Sequence, residues 1–183
     1  MAERRVKRIL IVGVAGSGKT TFSRKLGKAL NLEVHHLDRY YWKPGWVETG
    51  TEEWENILTK LLTKESWIIE GNYSDAFRMR AQYAEKIFMF DPPRAKSMYR
   101  ISKRIFKSKF GIEKRTDLGE GCREKWFDKN FFKWVWNYNR NIRPRMYNIL
   151  EDMNFNKEDI IIFKTNKDVK KYLNSLTRAV KNP

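Results

Sequence analysis

The chain has 183 residues, is 41% hydrophobic and carries a formal net charge of +16. That length fits one domain with a real core, and no apolar run nears the ~20 residues a membrane helix needs. A single cysteine, Cys122, excludes an intramolecular disulfide framework and a four-cysteine zinc site, so a cytoplasmic protein is expected. The basic, then apolar N-terminus runs straight into a glycine loop without a cleavage pattern, and so does not read as a signal peptide.

RILIVGV is apolar, branched and bounded by glycine, which predicts a strand buried on both faces. KTTFSRKLGKAL follows with Phe22, Leu26 and Ala29 at helical spacing. EVHHLD is a weaker strand ending at Asp38; its adjacent His35 and His36 point to opposite faces, against joint metal ligation. Pro44 and Gly45 turn the chain, and TEEWENILTKLLTK predicts an amphipathic helix that Thr51 caps. SWIIEGN and KIFMFD predict the third and fourth strands, with a helix between them over YSDAFRMRAQYAE. PPRAKSMYRISKRIFKSKF begins on prolines, which suit a helix's first turn. GIEKRTDLGEGCREK, charged and with three glycines, reads as a loop in which Cys122 is a packing residue rather than a nucleophile. WFDKNFFKWVWNYNRNI predicts a long aromatic helix, kinked or broken near Pro144. Its aromatics Phe131, Phe132, Trp134 and Trp136 are expected in the core, although basic and aromatic residues together also bind single-stranded nucleic acid. DIIIFKT predicts a fifth strand and KDVKKYLNSLTRAV a closing helix.

Strands alternating with helices imply a parallel sheet covered on both faces, with ligands outside the strands' carboxyl ends. Those ends carry the loop from Gly13, then Asp38, Glu70, Asp91 and Lys164–Asn166. GVAGSGKT fits G-x-x-x-x-G-K-[ST] in full, between a predicted strand and a predicted helix. Gly13, Gly16 and Gly18 let the backbone aim N–H groups at phosphate. Lys19 reaches the β- and γ-phosphates, and Thr20 offers a hydroxyl to Mg²⁺. ATP or GTP binding follows, with contacts expected from Gly13, Ala15, Gly16, Ser17, Gly18, Lys19, Thr20 and Thr21. Mg²⁺ on a nucleotide is steadied by an acid at a neighbouring strand end, which nominates Asp38 and Glu70 ahead of Asp91. Asp91 precedes a proline-started helix and also fits a capping role.

From Arg94 to Arg145 the chain carries 16 Lys/Arg against 5 Asp/Glu, a local +11. Such a segment attracts polyanions, whether nucleotide phosphates or nucleic-acid backbones. Arg100 and Arg104 share a helix face; Arg115 and Arg123 lie in the glycine-rich loop; Arg140, Arg143 and Arg145 lie beyond it. A loop flanked by arginines reads as a lid over phosphates, against the plainer reading of a solvated basic surface.

The stretches GVAGSGKTTFSRKL, HHLDRYYWKPGW, WIIEGNYS, FMFDPPR, RTDLGEGCREK and WNYNRNIRP together resemble the adenylate-kinase-related P-loop proteins of the FlaR type, the so-called DNA topology modulation proteins. The resemblance implies an α/β P-loop NTPase fold of nucleoside-monophosphate-kinase type: a five-stranded parallel sheet flanked by helices, a small acceptor-binding insertion at 39–66 and an arginine-rich lid at about 105–126. It implies that Glu70–Gly71 stands where adenylate kinases carry Asp-Gly, that Arg100 and Arg104 begin the lid arginines, and that 163–169, with Asn166, contacts the base. The insertion is shorter than theirs, with 31 residues between Asp38 and Glu70, which weighs against AMP as acceptor.

The leading expectation is ATP- and Mg²⁺-dependent phosphoryl transfer to a nucleoside, nucleotide or related hydroxyl compound. Lys19, Asp38, Arg100, Arg104 and Arg115 are the expected catalytic residues, with Mg²⁺ at Thr20, Asp38 and Glu70. The acceptor is expected over Asp38, Arg39, Trp42, Trp46, Glu70, Gly71, Asn72, Tyr73 and Arg78. The alternatives are a nucleotide-gated nucleic-acid-binding protein, drawing on the +11 segment, and a P-loop protein that binds ATP without turnover.

Overall fold

Strand β1 (Arg8–Gly13) leads through a loop into helix α1 (Lys19–Leu30), then β2 (Val34–His36) and the short α2 (Asp38–Tyr41). A hairpin of β3 (Trp42–Lys43) and β4 (Val47–Glu48) precedes α3 (Thr51–Leu62). There follow β5 (Trp67–Glu70), α4 (Phe77–Tyr83), β6 (Lys86–Phe90), α5 (Arg94–Lys109), α6 (Lys129–Asp152), β7 (Ile160–Phe163) and α7 (Asn166–Lys181). The computed structural model describes residues 6–112, 117–122 and 128–181.

Five strands form one sheet in the order β2-β5-β1-β6-β7, each pair parallel. Ile9 to Val12 of β1 are almost wholly buried, as an apolar run without alternation requires. The sheet therefore has a core on each face. On one, Phe22 and Leu26 of α1 meet Phe88, Phe90 and Phe163. On the other, Leu58 and Leu62 of α3, Phe77 of α4, Ile101 of α5, and Val135 and Leu150 of α6 pack over Leu10 and Ile69. Consecutive strands leave β1 toward both edges, so the crevice opens beyond its carboxyl end, at Gly13.

Local expectations differ from the structure at four places. Thr51 does not cap α3: it is the helix's first residue, and the N-cap is Gly50, with no side-chain hydrogen bond. Asp38 does not end β2: the strand stops at His36 and Asp38 opens α2. Pro144 does not break α6, which runs through it from Lys129 to Asp152; Pro144 is exposed, so the lost N–H donor leaves an acceptor that water can reach. Of the aromatics expected in the core, Phe131 and Phe132 are half-buried against it, whereas Trp134 and Trp136 stay 36% and 52% exposed. Arg94 lies 6.0 Å over the Trp136 ring, which gives that indole a cationic partner at the surface.

Candidate nucleotide and acceptor site

The loop between β1 and α1 is built for an anion. Gly13, Gly16 and Gly18 adopt φ of +139°, +72° and +104°. A side chain on Gly13 would place its Cβ 2.3 Å from the Phe90 carbonyl oxygen, so only glycine lets β1 leave the sheet here. The N-cap of α1 is Gly18, without a capping side chain, and its first turn holds no acid that would repel phosphate. The Lys19 ammonium folds back to donate to the Val14 carbonyl at 3.1 Å.

Glu70, last residue of β5, sits beside this loop with its side chain buried. Its Oε2 accepts from Thr20 Oγ1 at 3.1 Å and from His36 Nδ1 at 2.9 Å, and its Oε1 lies 3.8 Å from Lys19 Nζ. Burial alone would raise this carboxyl. The His36 hydrogen bond, the Lys19 charge and the Thr20 hydroxyl outweigh it and hold Glu70 below the usual glutamate value. A hydroxyl that gives its proton to a carboxylate keeps its oxygen lone pairs for a cation. Thr20 and Glu70 therefore fit Mg²⁺, with the threonine as direct ligand and the glutamate behind it.

Gly71 follows at φ +155°, and a Cβ there would lie 2.7 Å from Leu37 Cβ. The next residues splay outward. Tyr73 donates its hydroxyl to Asp38 Oδ1 at 2.8 Å, and Asn72 Oδ1 accepts from Tyr138 Oη at 2.9 Å. Beneath them lies Arg80, with no exposed surface. It donates to the carbonyls of Ala76 (3.2 Å), Gly71 (2.9 Å), Asn72 (3.0 Å) and Tyr73 (2.6 Å). Burial pulls its pKa down to about 10, still fully cationic at neutral pH. Arg78, expected at the acceptor, instead points outward to Asp152 at 2.9 Å. The signal for Arg80 was present: Phe77, Arg80 and Ala81 are buried on one face of α4, and Arg78 lies off it.

The hairpin after α2 is aromatic. Trp42 and Trp46 pack edge-on at 5.4 Å, and Tyr41 contacts Trp42, Trp54 and Tyr73. Thr49 latches the hairpin to α2, donating its hydroxyl to the carbonyls of Tyr40 and Tyr41 at 3.0 and 2.8 Å. Arg39 is exposed. Asp117–Cys122, part of the expected lid, lies against this hairpin. Cys122 Sγ donates to the Lys43 carbonyl at 3.2 Å, and a Cβ on Gly119 would fall 2.4 Å from the Trp42 carbonyl oxygen.

The expected lid arginines separate. Arg100 donates to the Ser17 carbonyl at 2.9 Å and to Asn166 Oδ1 at 2.6 Å, so it ties the phosphate loop to the start of α7. Arg104 is half-buried one turn further along α5. Arg115 and Arg123 lie outside the described residues. Arg143 pairs with Asp91 at 2.7 Å and Arg145 with Asp75 at 2.8 Å. Asp91 keeps its other oxygen buried without a partner among the described residues.

The comparisons with known proteins agree with this architecture. Shikimate kinase from Acinetobacter baumannii in complex with shikimate superposes at a TM-score of 0.61 and 13% identity, over 96% of this chain and 93% of that one. Deoxyadenosine kinase from M. mycoides with bound dATP gives 0.52 and 14%, over 96% and 100%. A gluconokinase from Sinorhizobium meliloti gives 0.52 and 15%, over 98% and 97%. No family model matches the chain, and no curated protein matches it. Fold and loop together define a P-loop α/β protein of nucleoside-monophosphate-kinase-like architecture. Among the described residues, no helix is long and apolar enough to cross a membrane.

Proposed function

We propose that the protein is a kinase that moves the γ-phosphoryl group of ATP to a hydroxyl of a small molecule. A nucleoside, nucleotide or related hydroxyl compound is the acceptor class the aromatic hairpin fits. The observation that carries the reading is the Glu70 carboxylate, bonded to the Thr20 hydroxyl at 3.1 Å and facing Lys19 at 3.8 Å, beside a phosphate loop. A loop that served only as a tight turn would have no need of a buried acid aimed at both.

In this reading ATP lies along Gly13–Thr21. Lys19 exchanges the Val14 carbonyl for the β- and γ-phosphates. Mg²⁺ held by Thr20, with Glu70 behind it, would neutralise charge on the transferring group. Arg100 and Asn166 border the base side of the loop, and Arg104 approaches the phosphates from α5; Arg115 is the further arginine expected to act on them. The acceptor hydroxyl lies at Asp38, which Tyr73 orients. The oxygen of the acceptor bonds to the γ-phosphorus as the β–γ bridge breaks. ADP leaves, and the hydroxyl proton passes to Asp38 or solvent. Transfer of this kind depends on positioning and electrostatics, so no strong base is required.

Residues 39–66 then form the acceptor module, with Trp42 and Trp46 as its wall, and about 105–126 the lid, in a cytoplasmic enzyme resembling the FlaR type. The nucleic-acid alternative is less favoured, because Arg100, Arg143 and Arg145 are already engaged with protein acceptors. A coupled ADP-release assay over nucleosides, monophosphates, sugars and polyols tests the proposal. One acceptor class should raise turnover well above background ATPase, and Lys19→Ala should abolish the gain. If no acceptor does so, the kinase reading fails.

A further inference from the structure

We infer that His36 is a positioning residue for Mg²⁺: it fixes the Glu70 carboxylate in the orientation that serves Thr20, independently of Lys19. The inference rests on the nucleotide-site reading above and concerns one element of it.

Register explains why His36 meets Glu70. Strands β2 and β5 are parallel neighbours, with His36 directly opposite Glu70. Residues paired in this way carry their side chains to the same face. The two side chains, both buried, meet at 2.9 Å. The Glu70 carboxylate faces the Lys19 ammonium and takes the Thr20 hydroxyl proton, so it accepts, and His36 Nδ1 carries the hydrogen.

The two carboxylate oxygens have different partners. Oε2 takes His36 and Thr20; Oε1 faces Lys19 at 3.8 Å. One of these partners must change when a nucleotide binds: Lys19 moves to the phosphates, while Thr20 keeps its proton on Glu70 and offers its lone pairs to the cation. His36, fixed in the sheet, then holds the carboxylate toward Thr20 once Lys19 has left. Without it the carboxylate is left with Thr20 and the Lys19 ammonium, and its pairing with that ammonium competes with the cation. Groups that hold a metal's direct ligands in place typically set its affinity by 10–100-fold; His36 acts one step further out, through Glu70, and falls at the lower end.

The neighbouring histidine supplies a control. His35 faces the other way, with Nδ1 3.0 Å from the Tyr40 hydroxyl and Nε2 3.3 Å from Glu33. It touches none of Lys19, Thr20 or Glu70 at hydrogen-bond range, so its loss disturbs β2 without disturbing the carboxylate.

The test is binding of a fluorescent ADP analogue to the full chain, in EDTA and across a Mg²⁺ titration. For His36→Leu, the Mg²⁺ midpoint should rise about tenfold while EDTA affinity stays within about twofold of wild type. His36→Asn, whose amide nitrogen reaches nearly where Nδ1 lies, should recover most of the wild-type midpoint. His35→Gln should keep it. His36→Ala reads the same midpoint if leucine does not fit the site. An unchanged midpoint in both His36→Leu and His36→Ala overturns the inference. So does an equal loss of binding with and without Mg²⁺, which marks a merely structural role. Wild-type protein that binds no analogue under either condition refutes the nucleotide reading itself, a result distinct from both.

Discussion

Replacing Arg80 by methionine tests the account of the acceptor loop. The thioether fills much of the space of the arginine stem but has no donor. Four charge-assisted hydrogen bonds to the carbonyls of residues 71, 72, 73 and 76 disappear. At about 1.5 kcal/mol or more each, their gross contribution is ~6 kcal/mol. Against this stands the relief of desolvating a guanidinium that has no exposed surface, a cost of several kcal/mol. Because the Gly71 carbonyl is left buried and the other three part-buried, the net loss should be about 3–5 kcal/mol. For a chain of this size that is a fall in melting temperature of roughly 6–20 °C. Arg80→Lys, which can satisfy one or two carbonyls, should fall between. Urea and thermal unfolding give the stabilities. Hydrogen exchange at the amides of Asn72 and Tyr73 should speed up before that of the β1 amides. A loss under ~1 kcal/mol, with no local change in exchange, would refute the claim that Arg80 holds this loop.

Other consequences follow from single contacts. Gly71→Ala forces a Cβ toward Leu37 at a φ of +155°, and should destabilise by about 1–3 kcal/mol in chemical unfolding. Gly119→Ala cannot keep the 2.4 Å approach to the Trp42 carbonyl. It should lift Cys122 from Lys43, and the single thiol should react faster with a disulfide reagent; an unchanged rate would mean the segment is not seated there. Acid should destabilise the fold in two stages. Burial lowers the His35 pKa below its ordinary 6.5, despite the opposing Glu33 charge. Its stabilising effect is complete above that pH and is lost as pH falls through the lower folded value. Glu70, also lowered, adds a further loss below about pH 4.5, its ordinary value. Melting temperatures between pH 7.5 and 3.5 should show both stages, and His35→Gln should remove the first.

The parallel five-stranded fold was legible because its signals are local. Apolar runs such as Ile9–Val12 predict strands buried on both faces, and the glycine-lysine loop falls between a strand and a helix. Thr20 follows from the phosphate-loop motif and Glu70 from the strand-end rule, which need only local sequence and chain order. Partners set by sheet order were harder to see. That His36 meets Glu70 depends on β2 lying next to β5, 34 residues away in sequence. Arg80 is not among the expected acceptor residues, although its spacing from Phe77 and Ala81 marks the buried face of α4. Arg100 was expected over the phosphates. Its grip on the Ser17 carbonyl and on Asn166, 66 residues away, depends on how α5 packs across the loop, and no local pattern reports that.

The most direct measurement is a crystal structure grown with ADP and Mg²⁺. The β-phosphate should lie in the turn before Lys19, with its ammonium drawn away from Val14. Mg²⁺ should sit about 2.1 Å from Thr20 Oγ1, with Glu70 still held by His36. ADP bound away from Gly13–Thr21, or Mg²⁺ at Asp91 with Thr20 and Glu70 unengaged, would contradict the account.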